Sequence, residues 1–305
     1  MLSLFTASEA EATGRAAEPR APTPGQPGEV APGQSGTRGV PGAPVQSAGR
    51  AHARKEGMVS ALSSYIRVAA DSMMWSLIDA FRRGRRPRGS FYTQSIRIGL
   101  ESVGIIALLS FIIGFIVALQ SAAQLRLFGA NIYVVDLLGL FIVREMGPLM
   151  TAVLVAGRSG SSITAEIATM KVSEELDALR VMALNPVRYV VVPKVLAITA
   201  VMPVLALISM GVAMLGGMSV SVPYLDLAFL SFVSRLVDVI SLDDVLIGFT
   251  KTILFGWQIV TIAVYYGFKA EGGAEGVGVV TTRSVVASIF WVIIIDVFFS
   301  IGYLT

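Results

Sequence analysis

Five long apolar runs follow residue 97, and they limit the chain to very few folds. They cover residues 98–119, 137–158, 195–218, 245–267 and 284–302, and each is about long enough to cross the hydrocarbon core of a bilayer. Hydrophobic residues make up 54% of the chain and charged residues 15%, which is too apolar for an ordinary soluble domain. The runs therefore predict an all-α membrane protein with about five transmembrane helices.

Two segments of different character precede these runs. Residues 1–57 are rich in Pro, Gly, Ala and Ser and have few large apolar side chains, so we expect a disordered tail. Residues 58–88 combine an apolar helical stripe, which includes Leu62 and Ile66, with a basic cluster at 82–88. This pattern predicts an amphipathic helix in the membrane interface. Residues 58–305 then form one membrane domain.

The loops between the runs differ in charge, and this difference predicts the orientation. Among the segments that flank the runs, 82–88, 171–188 and 269–283 carry most of the Lys and Arg, whereas the loop 219–244 is acidic. Positively charged loops lie on the cytoplasmic side. We therefore expect the N-terminus and segment 171–188 in the cytoplasm and the C-terminus outside. Beside a span, the basic cluster indicates contact with anionic lipid and not with nucleic acid.

The composition also excludes several kinds of chemistry. The chain has no cysteine, and its one histidine, His52, lies in the tail, so thiolate catalysis is excluded and the usual general base is missing from the spans. The string at 157–160, GRSG, is like that of an intramembrane serine protease, but that chemistry needs a base in another span. No GxxxxGK[ST] string occurs, so any ATP use must belong to another subunit. We predict no catalytic residue, metal site or bound cofactor.

Charged side chains inside the apolar runs are candidate functional residues. Arg144 and Glu145 lie in the second run, ahead of Gly147 and Pro148, and Asp296 lies deep in the last. An ionised group at this depth is costly unless it is paired or faces a wet cavity. Arg144 and Glu145 therefore form either a functional site or a structural pair that satisfies itself. Pro148 predicts a kink or the start of a re-entrant segment.

Small residues follow directly after this charged pair. They form two rows at i and i+4, Ala156 with Gly160 and Gly157 with Ser161. Such rows let helices approach closely, which favours packing within the chain or dimerisation.

A short charged helix is predicted at 173–183, between the second and third spans on the cytoplasmic side. Ser173 is a good N-cap, and acidic residues near the start favour the positive helix end. The residues of interest are Ser173, Glu174, Glu175, Leu176, Asp177, Leu179 and Met182. Leu176, Leu179 and Met182 share one face. The helix either docks in a groove of a soluble protein or is an interfacial turn without a partner.

These segments together resemble the MlaE/YrbE permeases, the membrane subunits of ABC transporters that work with MCE-domain lipid-binding proteins. The matching strings are REMGP at 144–148, AGRSG at 156–160, TAEI at 164–167 and the segment 174–186. Further matches lie at 276–286 with Asp296, and more weakly at 118–120. The resemblance covers residues 58–305 and does not extend to the tail.

The resemblance implies roles for the candidate residues. The 173–183 helix is expected to be the coupling helix that sits in an ABC ATPase subunit, which uses ATP and Mg. Arg144, Glu145, Gln120 and Asp296 are expected near a lipid cavity. The other implied partners are an MCE-domain protein, membrane lipids and a second permease copy. The intact REMGP string favours a homodimer over paired permeases, and the expected location is the bacterial inner membrane.

Two other classes of protein fit the pattern. A stand-alone secondary transporter or channel could use Glu101, Glu145 and Asp296 as an ion path. A membrane scaffold would carry no lipid. The first hypothesis remains a permease that moves lipid, most simply phospholipid, to or from an MCE-domain partner.

Overall fold

The computed structural model describes residues 65, 66, 70 and 74 and residues 88–304. In these residues the secondary structure is helical without strands. Five helices are long and apolar enough to cross a membrane: Gln94–Phe128, Tyr133–Val172, Val187–Leu225, Leu242–Phe268 and Gly273–Gly302. The predicted all-α membrane fold with five spans is confirmed. Each span extends beyond the apolar run that predicted it.

Nine α-helices form the described part of the chain. They are α1 (Arg88–Leu125), α2 (Tyr133–Phe141), α3 (Gly147–Val155), α4 (Ser161–Val172), α5 (Glu175–Val181), α6 (Val192–Leu225), α7 (Phe229–Val239), α8 (Leu242–Phe268) and α9 (Gly273–Leu304). Two π-helical segments, Ile142–Met146 and Ala156–Gly160, join α2, α3 and α4 into one span. A third, Val187–Val191, leads into α6. A short 3₁₀ turn, Arg126–Phe128, ends the first span.

The second span continues as a helix through Pro148, where the sequence predicts a kink or a re-entrant start. Proline has no backbone N–H, and its ring crowds the carbonyl of the residue four positions earlier, which here is Arg144. The π-helical segment Ile142–Met146 lies directly before this position. A wider turn of this kind accommodates a proline without ending the helix, and π segments are frequent at functional sites.

Small residues bring the first and third spans into close contact. A Cβ added to Gly114 of α1 would overlap the carbonyl oxygen of Ala213 in α6, and one added to Gly216 would overlap that of Phe111. The two helices are also joined by a hydrogen bond of 2.8 Å between the buried hydroxyls of Ser110 and Ser209. Backbone approach at small residues is the usual way in which helices pack in a membrane.

Ser173 does not cap α5, so the sequence expectation was wrong on this point. Its backbone N–H and its hydroxyl both donate to the carbonyl of Thr169, at 2.9 Å each, so Ser173 ends α4. The N-cap of α5 is Glu174, whose φ of 60° lies in the left-handed region. With Glu174 in this conformation, α5 begins at Glu175 and ends at Val181.

Most of the predicted interfacial helix lies outside the described residues, as do the 1–57 tail and the basic cluster before Arg88. Tyr65, Ile66, Ala70 and Met74 are described, and all four are helical. The hydroxyl of Tyr65 donates to Oε1 of Gln258 at 2.8 Å. This contact attaches the segment to α8.

Candidate functional site

A buried lysine in the fourth span joins three groups from two other spans. Lys251 of α8 is 2% exposed. Its Nζ donates to Glu145 Oε2 at 2.9 Å, to Asp296 Oδ1 at 3.0 Å and to the carbonyl oxygen of Arg144 at 3.1 Å. An ammonium has three N–H groups, so all three can be used at once. The carbonyl of Arg144 is available because Pro148 has no N–H to donate to it.

Arg144 pairs with Asp244, which lies at the start of α8, the helix that also carries Lys251. Its Nε donates to Asp244 Oδ1 at 2.6 Å. The other oxygen of the buried Asp244 accepts from the backbone N–H and the hydroxyl of Ser241, at 3.0 and 2.8 Å, and completes a capping box. The geometry of the α8 N-terminus and the position of the guanidinium are therefore fixed by one carboxylate.

Glu145 is connected to the fifth span as well as to the fourth. The hydroxyl of Ser300 in α9 lies 2.9 Å from Glu145 Oε1. Arg144 and Glu145 are therefore not a pair closed on itself, because each has a partner on another span. These contacts link the second, fourth and fifth spans. Their loss should be costly, because breaking a buried ion pair by removing one partner typically costs about 3–5 kcal/mol.

A partly open cleft of about 350 Å³ lies against this charged cluster. Its walls are mainly apolar, and the polar groups gather at one part of the lining. The lining residues are Leu137, Leu140, Phe141, Ile247, Phe299, Arg144, Glu145, Lys251 and Ser300. Arg144 and Glu145 are partly exposed here, whereas Lys251 is buried. Apolar walls with a few convergent polar groups are typical of a ligand site.

The structure brings together three of the four predicted cavity residues. Arg144 and Glu145 line the cleft, and Asp296 contacts them through Lys251. Gln120 lies on the exposed surface of α1 and does not line the cleft. Sequence analysis missed Lys251, although a lysine within an apolar span is itself a signal of a functional or paired charge.

The acidic residues of the cluster are not arranged as ligands of one metal ion. Among residues 88–304, and at the four described positions before them, no group of three or more His, Cys, Asp or Glu side chains could hold a metal. The carboxylates of the cluster bind the cations of Lys251 and Arg144 instead.

Comparison with known proteins identifies the family. The profile described as Permease MlaE matches residues 91–301, which include the whole charged cluster. The chain belongs to the MlaE permease family. It is therefore a multi-pass membrane protein of the permease class, as the sequence resemblance predicted, and the tail lies outside the match.

Individual relatives agree with the MlaE family match. A probable ABC transporter permease protein of Rickettsia typhi is 37% identical over 201 residues, 66% of this chain and 78% of the relative. One from Synechocystis is 35% identical over 218 residues, 72% of this chain and 83% of the relative. The intermembrane phospholipid transport system permease protein MlaE of Haemophilus influenzae is 37% identical over 190 residues, 62% of this chain and 73% of the relative.

The second candidate region in this MlaE-family chain, α5, presents a different face from the one expected. Leu176 and Leu179 are buried in the core of the chain itself. The exposed apolar side chains follow them: Val181 is 89% exposed, and Met182 and Leu184 are also exposed. The predicted stripe of Leu176, Leu179 and Met182 is therefore divided between the core and the surface.

Charged residues precede this exposed apolar end of α5. Glu174 and Glu175 are exposed. Asp177 accepts from Arg180 at 2.6 Å and lies 3.4 Å from the ammonium of Lys171. The surface available to a partner is an apolar tip with acidic residues at the start of the helix.

The two rows of small residues also face different ways. Ala156 and Gly160 are buried, and a Cβ on Gly160 would lie 3.1 Å from Ile259 of α8. Gly157 is exposed, with no atom within 4 Å of such a Cβ. The Ala156/Gly160 row packs within the chain, whereas Gly157 and the partly exposed Ser161 lie towards the surface of this copy.

Proposed function

We propose that the chain is the permease subunit of an ABC transporter that moves phospholipid between the bacterial inner membrane and an MCE-domain partner. The observation that carries this proposal is the cleft beside the charged cluster. Its apolar walls suit acyl chains, and a phosphate at the polar part can receive a charge-assisted hydrogen bond from Arg144. The volume of the cleft lies near the lower end of the range for ligand pockets, which suits a lipid headgroup and the first part of its acyl chains.

ATP would be bound and hydrolysed, with Mg, by a separate ATPase subunit. That subunit docks on the exposed end of α5, with Val181 and Met182 in an apolar groove. This assignment places α5 and the N-terminus in the cytoplasm, in agreement with the charge of the loops. The MCE-domain partner binds at the opposite end of the bundle.

A second copy of the chain would complete the permease. The outward-facing Gly157 and Ser161 favour close helix contact there. The REMGP string at 144–148 favours a homodimer over two different permeases.

Transport by the reconstituted complex tests this function. The full chain is placed in liposomes with its ATPase and MCE-domain partners, and the movement of a labelled phospholipid is followed with and without ATP. We expect movement that needs both ATP and the ATPase. Lipid movement that is independent of ATP, or none by an intact complex, would refute the proposal.

The rival function, a stand-alone transporter or channel, has less structural support. Its ion path needs Glu101, Glu145 and Asp296 together. Glu101 instead pairs with Arg158 at 2.7 Å and does not line the cleft. Ion flux through the purified chain alone would favour this rival.

A further inference from the structure

The acidic loop between the third and fourth spans contains an amphipathic helix that the sequence did not predict. This helix, α7 (Phe229–Val239), has exposed apolar side chains on one side, with Leu230 76% and Val237 71% exposed. The exposed apolar residues fall within an arc of about 100° at 3.6 residues per turn: Phe229, Leu230, Val233 and Val237. The core of the chain does not cover this arc.

The two other sides of α7 differ: one packs against the bundle and the other carries exposed polar residues. Phe232 is buried, and Leu236 packs against Gly139 of α2. Ser231, Ser234 and Asp238 are exposed on a separate polar arc. The helix thus divides into a side against the bundle, a polar side and an apolar side that residues 88–304 leave largely exposed.

Two anchors hold α7 in place. Arg235 donates two hydrogen bonds to the carboxylate of Asp136 in α2, at 2.7 and 2.6 Å. Directly after α7, Ser241 and Asp244 form the capping box of α8, and Asp244 also pairs with Arg144. A helix held through its C-terminal half and through the buried Phe232 presents its apolar arc as a defined surface.

Aromatic and basic residues of the kind common at membrane surfaces lie around α7. Tyr133 and Tyr224 are exposed, and each ring lies beneath a guanidinium, Arg235 at 5.9 Å and Arg126 at 5.1 Å. Tyrosines of this kind are enriched where a span meets the water. Leu242 and Leu246, on the first turns of the fourth span, are also exposed apolar residues.

We propose that α7 lies in the membrane–water interface at the end of the bundle opposite α5, with its apolar arc in contact with lipid acyl chains. An amphipathic helix binds there by burying its apolar face at the headgroup boundary. Because α7 is tied to the same α2 and α8 that line the cleft, it borders the lipid next to that cleft. The proposal does not depend on the transported substrate.

Spin labels test this position directly, because the full chain has no cysteine. Single cysteines replace Leu230 and Val237 on the apolar arc and Ser231 and Ser234 on the polar arc. Each labelled chain is reconstituted in phospholipid bilayers. We expect labels at Leu230 and Val237 to collide several-fold more with oxygen than with a water-soluble nickel chelate. Labels at Ser231 and Ser234 should show the reverse preference.

Two results would overturn the proposal. Equal access of the nickel chelate to all four positions would place the helix in water. Labels at Leu230 and Val237 that neither reagent reaches, while those at Ser231 and Ser234 stay accessible, would show that protein covers the arc. A Phe232→Cys variant provides the reference for a position buried in protein.

Discussion

Pro148 leaves the carbonyl oxygen of Arg144 without its helical donor, and Lys251 from another span donates to it at 3.1 Å. A backbone group without a partner would be costly in lipid. The ammonium of the same lysine also forms ion pairs with Glu145 and Asp296. One residue therefore donates a hydrogen bond to the carbonyl that the proline leaves and one to each of two carboxylates.

Loss of this lysine should be strongly destabilising. A Lys251→Met variant leaves the buried Asp296 and the partly exposed Glu145 without their shared cation, and we expect a loss of about 3–5 kcal/mol in the free energy of unfolding. The measurement is thermal unfolding of the purified chain in detergent. Lys269→Met is the matched control, because Lys269 is exposed beyond the end of α8, and it should change stability little. Equal effects of the two variants would contradict the role of Lys251.

Asp244 caps α8 together with Ser241 and forms an ion pair with Arg144, and substitutions can measure the two contributions separately. Ser241→Ala removes the cap of α8 but keeps the pair with Arg144, and it should cost about 1 kcal/mol. Asp244→Ala removes both and leaves Arg144 without this partner, so it should cost clearly more. Unfolding of both variants under the same conditions measures the difference. Indistinguishable losses would show that the ion pair with Arg144 adds nothing.

Among the helices, the contact of α1 with α6 depends on the absence of side chains. Gly114→Ala places a methyl group on the carbonyl of Ala213, so the helices must move apart, at a cost of about 1–3 kcal/mol or more. Gly104→Ala in the same helix meets no atom within 4 Å and should be neutral or slightly stabilising. Thermal unfolding compares them, and a neutral Gly114→Ala would contradict this packing.

Two substitutions distinguish the role of the exposed residues of α5 from that of its buried residues. Val181→Glu changes a side chain that is almost fully exposed, and we expect it to reduce co-purification of the ATPase while the chain unfolds at its normal temperature. Leu179→Asp places a charge in the core and should lower the unfolding temperature as well. The control is Tyr92→Glu, an exposed change on another helix. Normal ATPase binding by Val181→Glu would show that the docking surface lies elsewhere.

At the scale of the whole molecule, the sequence predicted those features that depend on a local pattern of residues. The spans follow from runs of apolar residues, and charges within them marked Arg144, Glu145 and Asp296. The link through Lys251 was not predictable, because it joins residues 106 and 45 positions apart. The orientation of α5 was also not predictable, since Leu176 and Leu179 have the same spacing whether they face a partner or their own core. The loop that contains α7 was predicted only from its acidic residues.

In the proposed function, the charged cleft belongs to the path of the lipid. ATP-driven movement of labelled phospholipid by the reconstituted complex tests it most directly, with Glu145→Gln compared with Glu275→Gln, an exposed change at the start of α9. A charged hydrogen bond contributes about 1.5–3 kcal/mol, so we expect Glu145→Gln to slow transport about tenfold or more. The ATPase should remain bound, and Glu275→Gln should transport normally. Unchanged transport by Glu145→Gln in an intact complex would contradict the claim and leave the cluster a purely structural role.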